Sequence, residues 1–375
     1  MRIAAALSAQ LAELQQGNLL RTRRVQDKAA QHNNFAANDY LGLSQHPQVL
    51  AAYADGLQQW GAGSGASPVV SGFQGAHAYL CQQLAEWLER DDAILFSSGF
   101  AANYCVMRTL TPFYQRIVAD KLSHASIIDG MTAHAVKHWK RFRHNDVIHA
   151  QQLLDSAGAN LLVSESVFSM DGDEAPLSAL AELSALTNTD LWIDDAHGLG
   201  VVGADGQSAG GQLNQHQLPI ITATFGKGLG VMGAAIVGSH ELIRYLHTKG
   251  REYIYSTAFS GAQAAAISAA IKLIQSASGQ ALRVQLAENI AYFKARCDYL
   301  GIPLLPSHHA IQLLPMNDET SALAFGQRLF EQGLLVGVIR PPTVAKGTAR
   351  LRITLTAQHR QHDIDRLVQV LGHAN

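Results

Sequence analysis

From about Asp92 onward, short apolar runs alternate with stretches whose apolar residues recur at helical spacing. That alternation predicts strand–helix units built on a mostly parallel sheet, an α/β fold. The apolar runs lie near residues 93–96, 116–119, 161–163, 191–194, 220–224 and 234–237. Three of the runs end in small or polar residues: Ser97-Ser98-Gly99, Asp194-Asp195-Ala196-His197 and Thr224-Phe225-Gly226-Lys227. Ligands of open α/β sheets collect at the carboxyl ends of strands, so these clusters are expected to converge. An Ala-rich helical pattern over 261–275 leads into Ser276-Ala277-Ser278-Gly279, the expected hinge. Beyond it, helices near 281–299 and 321–332 and strands near 310–315, 335–339 and 350–355 predict a smaller α+β domain. Upstream, Leu7, Leu11 and Leu14 form the apolar stripe of a short docking helix. The expected division is therefore an N-terminal helix and arm over 1–45, a large domain over 46–275 and a small C-terminal α+β domain over 276–375.

A chain of 375 residues exceeds what one hydrophobic core usually serves, in keeping with that division. Its 47% hydrophobic and 15% charged residues suit a compact enzyme better than a disordered chain. The formal net charge of -2 argues against a nucleic-acid binder, which needs a basic excess. Lys137, Lys140, Arg141 and Arg143 are accordingly expected on a solvated face, with help in holding an anionic coenzyme as the alternative. Cys81, Cys105 and Cys297 are odd in number and lack C-x-x-C spacing, which points to a reducing compartment. No uninterrupted apolar stretch reaches the roughly 18 residues of a membrane span, and no leader pattern opens the chain. A soluble, cytoplasmic protein is expected.

The glycines around Lys227, in Phe225-Gly226-Lys227-Gly228-Leu229-Gly230, let the backbone approach a ligand closely. An ammonium there can hold a phosphate or form a Schiff base with an aldehyde cofactor; an exposed loop lysine is the bland alternative. A nucleotide phosphate loop is disfavoured, because Gly228 stands where Ser or Thr belongs. Side chains alternate faces along a strand, so only one of Asp194 and Asp195 can point at a given ligand. Such a carboxylate suits a protonated pyridine nitrogen, or simply caps a helix, and His197 follows close by. No further ligand lies at metal-binding spacing from these residues. Ser97-Ser98-Gly99-Phe100 joins a strand to a helical pattern, where backbone N–H groups suit a phosphate. Gly-Ala-Gly-Ser-Gly at 61–65 lacks the strand and spacing of a dinucleotide fingerprint and reads as a loop at a site or interface.

Taken in order, these segments resemble the α-oxoamine synthase family of pyridoxal-phosphate enzymes over nearly the whole chain. The motifs that carry the likeness are Ser-Gly-Phe-Ala-Ala-Asn (98–103), Leu-Ser-His-Ala-Ser (122–126), Val-Phe-Ser-Met-Asp-Gly-Asp (167–173), Asp-Asp-Ala-His-Gly (194–198) and Thr-Phe-Gly-Lys-Gly (224–228). The segments 339–344 and 347–356 narrow it to the biotin-pathway branch. The resemblance implies a fold-type I architecture, a large domain with a mostly parallel seven-stranded sheet plus the smaller C-terminal α+β domain. It implies pyridoxal 5'-phosphate held by Lys227, with Asp194 on the pyridine nitrogen, His197 near the phenolic oxygen and His124 stacked on the ring. Ser169 and Thr224 then contact the cofactor through hydroxyls, and Gly99 with Phe100 form the turn beside it. Asn38 and Arg352 hold the amino acid's carboxylate, and Arg21 and Thr343 contact substrate. The implied reaction joins L-alanine to a pimeloyl thioester, carried by coenzyme A or acyl carrier protein, with loss of carbon dioxide. The implied assembly is a homodimer with sites at its interface. A sister synthase using another amino acid and acyl donor, an aminotransferase and a non-catalytic pyridoxal-phosphate binder remain open. Pro68, Phe73, Cys81, Leu199 and Leu229 depart from the usual family residues, which bears on acyl preference and local interface details and not on the proposed catalytic groups.

Overall fold

The computed structural model describes residues 2–21, 23–25, 33–133, 138–154 and 158–373. Its strands, in chain order, are β1 Asn33–Phe35, β2 Asp92–Phe96, β3 Arg116–Asp120, β4 Trp139–Phe142, β5 Asn160–Glu165, β6 Thr189–Asp194, β7 Ile220–Thr224, β8 Ala234–Gly238, β9 Ile311–Pro315, β10 Leu334–Ile339 and β11 Arg350–Thr354. By residue contacts the chain falls into two compact units, one of residues 38–169 and 173–286, the other of 1–37, 170–172 and 287–375.

In the larger unit seven strands form one sheet in the order β2-β8-β7-β6-β5-β3-β4. Every neighbouring pair is parallel except those of β8, which runs antiparallel to both β2 and β7. This is the α/β, mostly parallel, seven-stranded architecture expected. A strand covered on both faces is apolar at consecutive positions. Leu161 and Val163 of β5 enter one core with Ile94, Ile117, Trp192 and Ile236, packed under the helix Gly99–Leu110. Leu162 enters the opposite core with Val118, Leu191, Ile193 and Ile221. Helix starts are fixed locally: Ser98, Ser239 and Ser260 each accept a backbone N–H of the first turn, the usual work of a serine N-cap.

β4 is the strand of this sheet that periodicity missed. Its Lys140 and Arg141 are exposed, as expected of the basic run, but they lie on an edge strand parallel to β3, where charge discourages further pairing. Arg143 is exposed just beyond it, and Lys137 lies outside the described residues.

In the smaller unit β9, β10 and β11 form an antiparallel sheet in the order β10-β11-β9, and β1 pairs parallel with β10 at its edge. The expected C-terminal helices are Ala277–Tyr299 and Glu319–Glu331. At the expected hinge, the preceding helix ends at Ile274 and the next begins at Ala277. The N-terminal helix forms over Arg2–Gln16, but the leucines expected to dock it are exposed, Leu7 by 54% and Leu11 by 51%. No helix among the described residues is long and apolar enough to cross a membrane.

Candidate active site

The parallel strands aim their carboxyl ends at one place. β2 delivers Ser97, Ser98 and the helix beginning at Gly99; β5 ends on Glu165, β6 on Asp194 and β7 on Thr224. Glu165 pairs with Asp194 and Asp194 with Thr222 across adjacent strands. Residues paired in parallel strands share a face, so the two carboxyl groups sit side by side. There a cavity of about 340 Å³ opens, within the range of small-ligand sites. Of the residues singled out from sequence, Asn38, Gly99, Phe100, His124, Asp194, His197, Thr224 and Lys227 line it. The three strand-end clusters do converge.

Asp194 is held by two donors. Its Oδ2 accepts from Asn103 Nδ2 at 2.6 Å, and its Oδ1 from the Ala196 N–H at 3.1 Å. Asp195, the next residue, accepts instead from Ser166 Oγ, from Ser208 Oγ at 2.7 Å and from the Ala209 N–H at 3.1 Å. Burial outweighs those hydrogen bonds and pushes its carboxyl up to about 7. Of the two aspartates, Asp194 serves the cavity and Asp195 the interior.

His197 Nδ1 lies 2.5 Å from the Tyr40 hydroxyl, which also approaches Asn38 Oδ1 at 3.4 Å. The Thr224 hydroxyl donates to the Ala196 carbonyl at 3.3 Å. His124 Nδ1 lies 2.7 Å from Ser126 Oγ. Burial lowers the His124 pKa, with Lys227 acting in the same sense and Asp194 and Asp129 opposing, so the ring is neutral near pH 7. Glu165, fully buried among these groups, is raised well above the usual carboxyl range, first by burial and then by the Asp194 charge. The N–H of His124 and the charge of Lys227 resist that rise.

Sequence reasoning had assigned no role to Asn103, Ser126, Glu165 or Tyr40. Asn103 and Ser126 lay inside motifs already quoted. Glu165 lies just beyond the apolar part of its strand, and Tyr40 carries no local signal.

Ser169 is half-buried in the turn that follows Phe168, outside the cavity-lining residues. The other three candidates belong to the smaller unit. Arg21 donates to Thr343 Oγ1 at 3.1 Å, and both are exposed. Arg352, on β11, is buried and donates to Thr354 Oγ1 at 3.0 Å.

The cavity can be tested against a flat, anionic pyridine cofactor. A Cβ added to Gly99 would lie 2.7 Å from Thr224 Cγ2, so glycine is what keeps the start of this helix clear. The first N–H groups of a helix lack partners one turn back and suit a phosphate. Asp194 offers a fixed carboxylate, His197 and Thr224 polar atoms, and Lys227 an amine. The residues fit such a group.

Comparison with known proteins accords with this geometry. A family model described as aminotransferase class I and II matches residues 31–371. An 8-amino-7-oxononanoate synthase from Pseudescherichia vulneris is 45% identical over 374 residues, covering 96% of this chain and 96% of that one. A serine palmitoyltransferase variant from S. paucimobilis with a bound PLP–myriocin aldimine superposes with a TM-score of 0.89 at 26% identity, covering 98% of this chain and 96% of that one. An 8-amino-7-oxononanoate synthase from Francisella tularensis gives a TM-score of 0.79 at 28% identity, covering 91% and 97%. The fold-type I architecture expected from sequence is the one these structures share.

Proposed function

The chain belongs to the aminotransferase class I and II family, and from that premise we propose that it condenses L-alanine with a pimeloyl thioester, releasing carbon dioxide and 8-amino-7-oxononanoate for biotin synthesis. It is a pyridoxal-phosphate-dependent enzyme. The observation that carries the proposal is the single cavity in which Lys227, Asp194, His197, His124 and Thr224 meet, in a chain 45% identical to a synthase of that name.

Pyridoxal phosphate, when bound, supplies the electron sink that makes the Cα–H of an amino acid acidic enough to break. The protein's own work is to anchor, orient and move protons. Lys227 would anchor the cofactor, and its amine, which lines the same cavity, would serve as general base towards the Cα proton. Asp194, its oxygens pinned by Asn103 and the Ala196 N–H, holds a positive charge on the pyridine nitrogen. His197, steadied by Tyr40, meets the phenolic oxygen. His124 would cover the ring face, and Thr224 and, from outside the cavity wall, Ser169 would contribute hydroxyls. Ser98, Gly99 and Phe100 present backbone N–H groups to the phosphate. Asn38 receives the substrate carboxylate, a positioning role. Arg352, Arg21 and Thr343 are the remaining proposed substrate contacts. A cytoplasmic homodimer completes the proposal.

The test is a mass-resolved product assay with the cofactor, alanine, glycine or serine, and a panel of acyl thioesters on coenzyme A and on carrier protein. 8-Amino-7-oxononanoate formed only from alanine and a pimeloyl donor is the expected result. A different aminoketone would reassign the substrates, and amino-group transfer to a ketoacid without condensation would overturn the proposal.

A further inference from the structure

We infer that Asn103 and Ser126 are positioning residues that, through a hydrogen-bond chain starting at Asp194, fix His124 in the form whose only ring proton is on Nε2. The inference deepens the proposed function, since it concerns the same cavity, but its evidence is the direction of each hydrogen bond.

Both Asp194 oxygens accept, one from the Ala196 N–H and one from Asn103. A carboxylate accepts only, so the Asn103 atom 2.6 Å away is the amide nitrogen. Turning the amide over would set two oxygens against each other. Nothing on the other side favours that flip, because Asn103 Oδ1 is buried with no partner among the described residues. The second hydrogen of the same nitrogen goes to Ser126 Oγ at 2.9 Å. Ser126 therefore accepts from Asn103, and its own hydrogen is free to point to His124 Nδ1, 2.7 Å away.

An independent contact agrees. The backbone N–H of Ser126, a donor with no alternative role, also points at His124 Nδ1, at 3.3 Å. Two donors meet at Nδ1, so that nitrogen carries the lone pair and Nε2 carries the proton. Protonating Nδ1 would set its N–H against the Ser126 backbone N–H, which cannot turn away, and would force the Ser126 hydroxyl to turn its hydrogen elsewhere. The chain runs Asp194, Asn103, Ser126, His124, its first two links fixed by the Asp194 carboxylate and its last by the Ser126 backbone N–H that shares Nδ1.

The charges facing His124 are Asp194 and Asp129, which favour a second proton, and Lys227, which opposes it. The carboxyl of Glu165 accepts the His124 backbone N–H and holds the turn that carries the ring. His124 thus offers the cavity a hydrogen-bond donor at Nε2. It does not act there as a base until the chain is broken.

The experiment is 15N NMR of the holoenzyme labelled in its histidine rings, with His124→Gln identifying the signal. Wild-type protein is expected to show a protonated Nε2 and a bare Nδ1, read before any substrate is added. Ser126→Ala leaves only the longer backbone contact. It should mix the two ring forms, move the acid limb of the kcat–pH profile to higher pH and lower kcat about tenfold, the loss of one hydrogen bond's worth of orientation. Ser126→Thr keeps the hydroxyl and should restore the single form. Asn103→Leu frees the Ser126 hydroxyl to rotate and should also mix the forms. A proton on Nδ1 in the wild-type protein would overturn the inference, as would a Ser126→Ala protein with unchanged ring signals and pH profile. If the ring signals are as expected while no 8-amino-7-oxononanoate forms, the hydrogen-bond chain stands and the substrate assignment falls.

Discussion

His144 is clamped between two carboxylates, and the clamp has a calculable effect on stability. Its Nδ1 lies 3.0 Å from Asp120 Oδ1 and its Nε2 2.7 Å from Asp173 Oδ2. Asp120 is fully buried and also accepts the N–H groups of Leu122 and Asn145. Burial works against charge on the ring, but the hydrogen bonds and charges of Asp120 and Asp173 together outweigh it and raise the ring's pKa from 6.5 to about 10. The folded value lies above the unfolded one. The stabilisation is therefore complete below about pH 6.5 and is lost as pH rises through about 10. That interval caps it at about 5 kcal/mol. The side chain is 25% exposed, so solvent screening leaves about 2–3 kcal/mol. The perturbation is His144→Gln, compared with wild type by urea unfolding from pH 6 to pH 10.5 at fixed protein and cofactor concentrations. Wild type should lead by that amount at pH 6, and the gap should close towards pH 10. Taking the difference removes groups common to both proteins. A gap equal at pH 6 and pH 10 would refute the charged clamp.

Three further outcomes are expected. Lys227→Ala should lower turnover by at least about 10³-fold with an unchanged far-UV circular dichroism spectrum; near-wild-type turnover would contradict the role of its amine. Gly99→Ala, which puts a Cβ 2.7 Å from Thr224 Cγ2, should weaken pyridoxal-phosphate binding about tenfold in an absorbance titration, and adding Thr224→Ser should recover it; wild-type affinity in the single variant would dismiss the cradle. Asp195→Ala orphans the Ser166 and Ser208 hydroxyls and the Ala209 N–H, and should cost about 3 kcal/mol by denaturant unfolding; a loss below about 1 kcal/mol would show that carboxylate to be dispensable.

The central strands were legible because consecutive apolar residues mark a strand buried on both faces, as in Leu161-Leu162-Val163. Their polar ends were legible as a site because three of them carry chemistry-bearing residues. β4 escaped because its Trp139-Lys140-Arg141-Phe142 pattern keeps apolar residues only at its ends, as an edge strand can. β1 escaped because three residues carry no period and its partner lies some 300 positions away in β10. Glu165 was cut off with the polar tail of its strand, although a carboxyl at a strand's end is what a buried site needs. Asn103 follows Gly99 by about one helical turn, which returns its side chain towards the same cavity. That geometry is visible once the helix start is known, and not before.

Asp194 and Asp195 stand next to each other in the chain and do unrelated work. Strand side chains alternate, so sliding β6 by one residue against β5 and β7 would exchange them: the carboxyl now tied to Ser166 and Ser208 would turn to the cavity, and the one held by Asn103 would turn to the interior. Such a slip would leave the residue types intact and still undo the pairing of each carboxyl with its present donors. The register of this one strand is thus as much a part of the site as the residues in it.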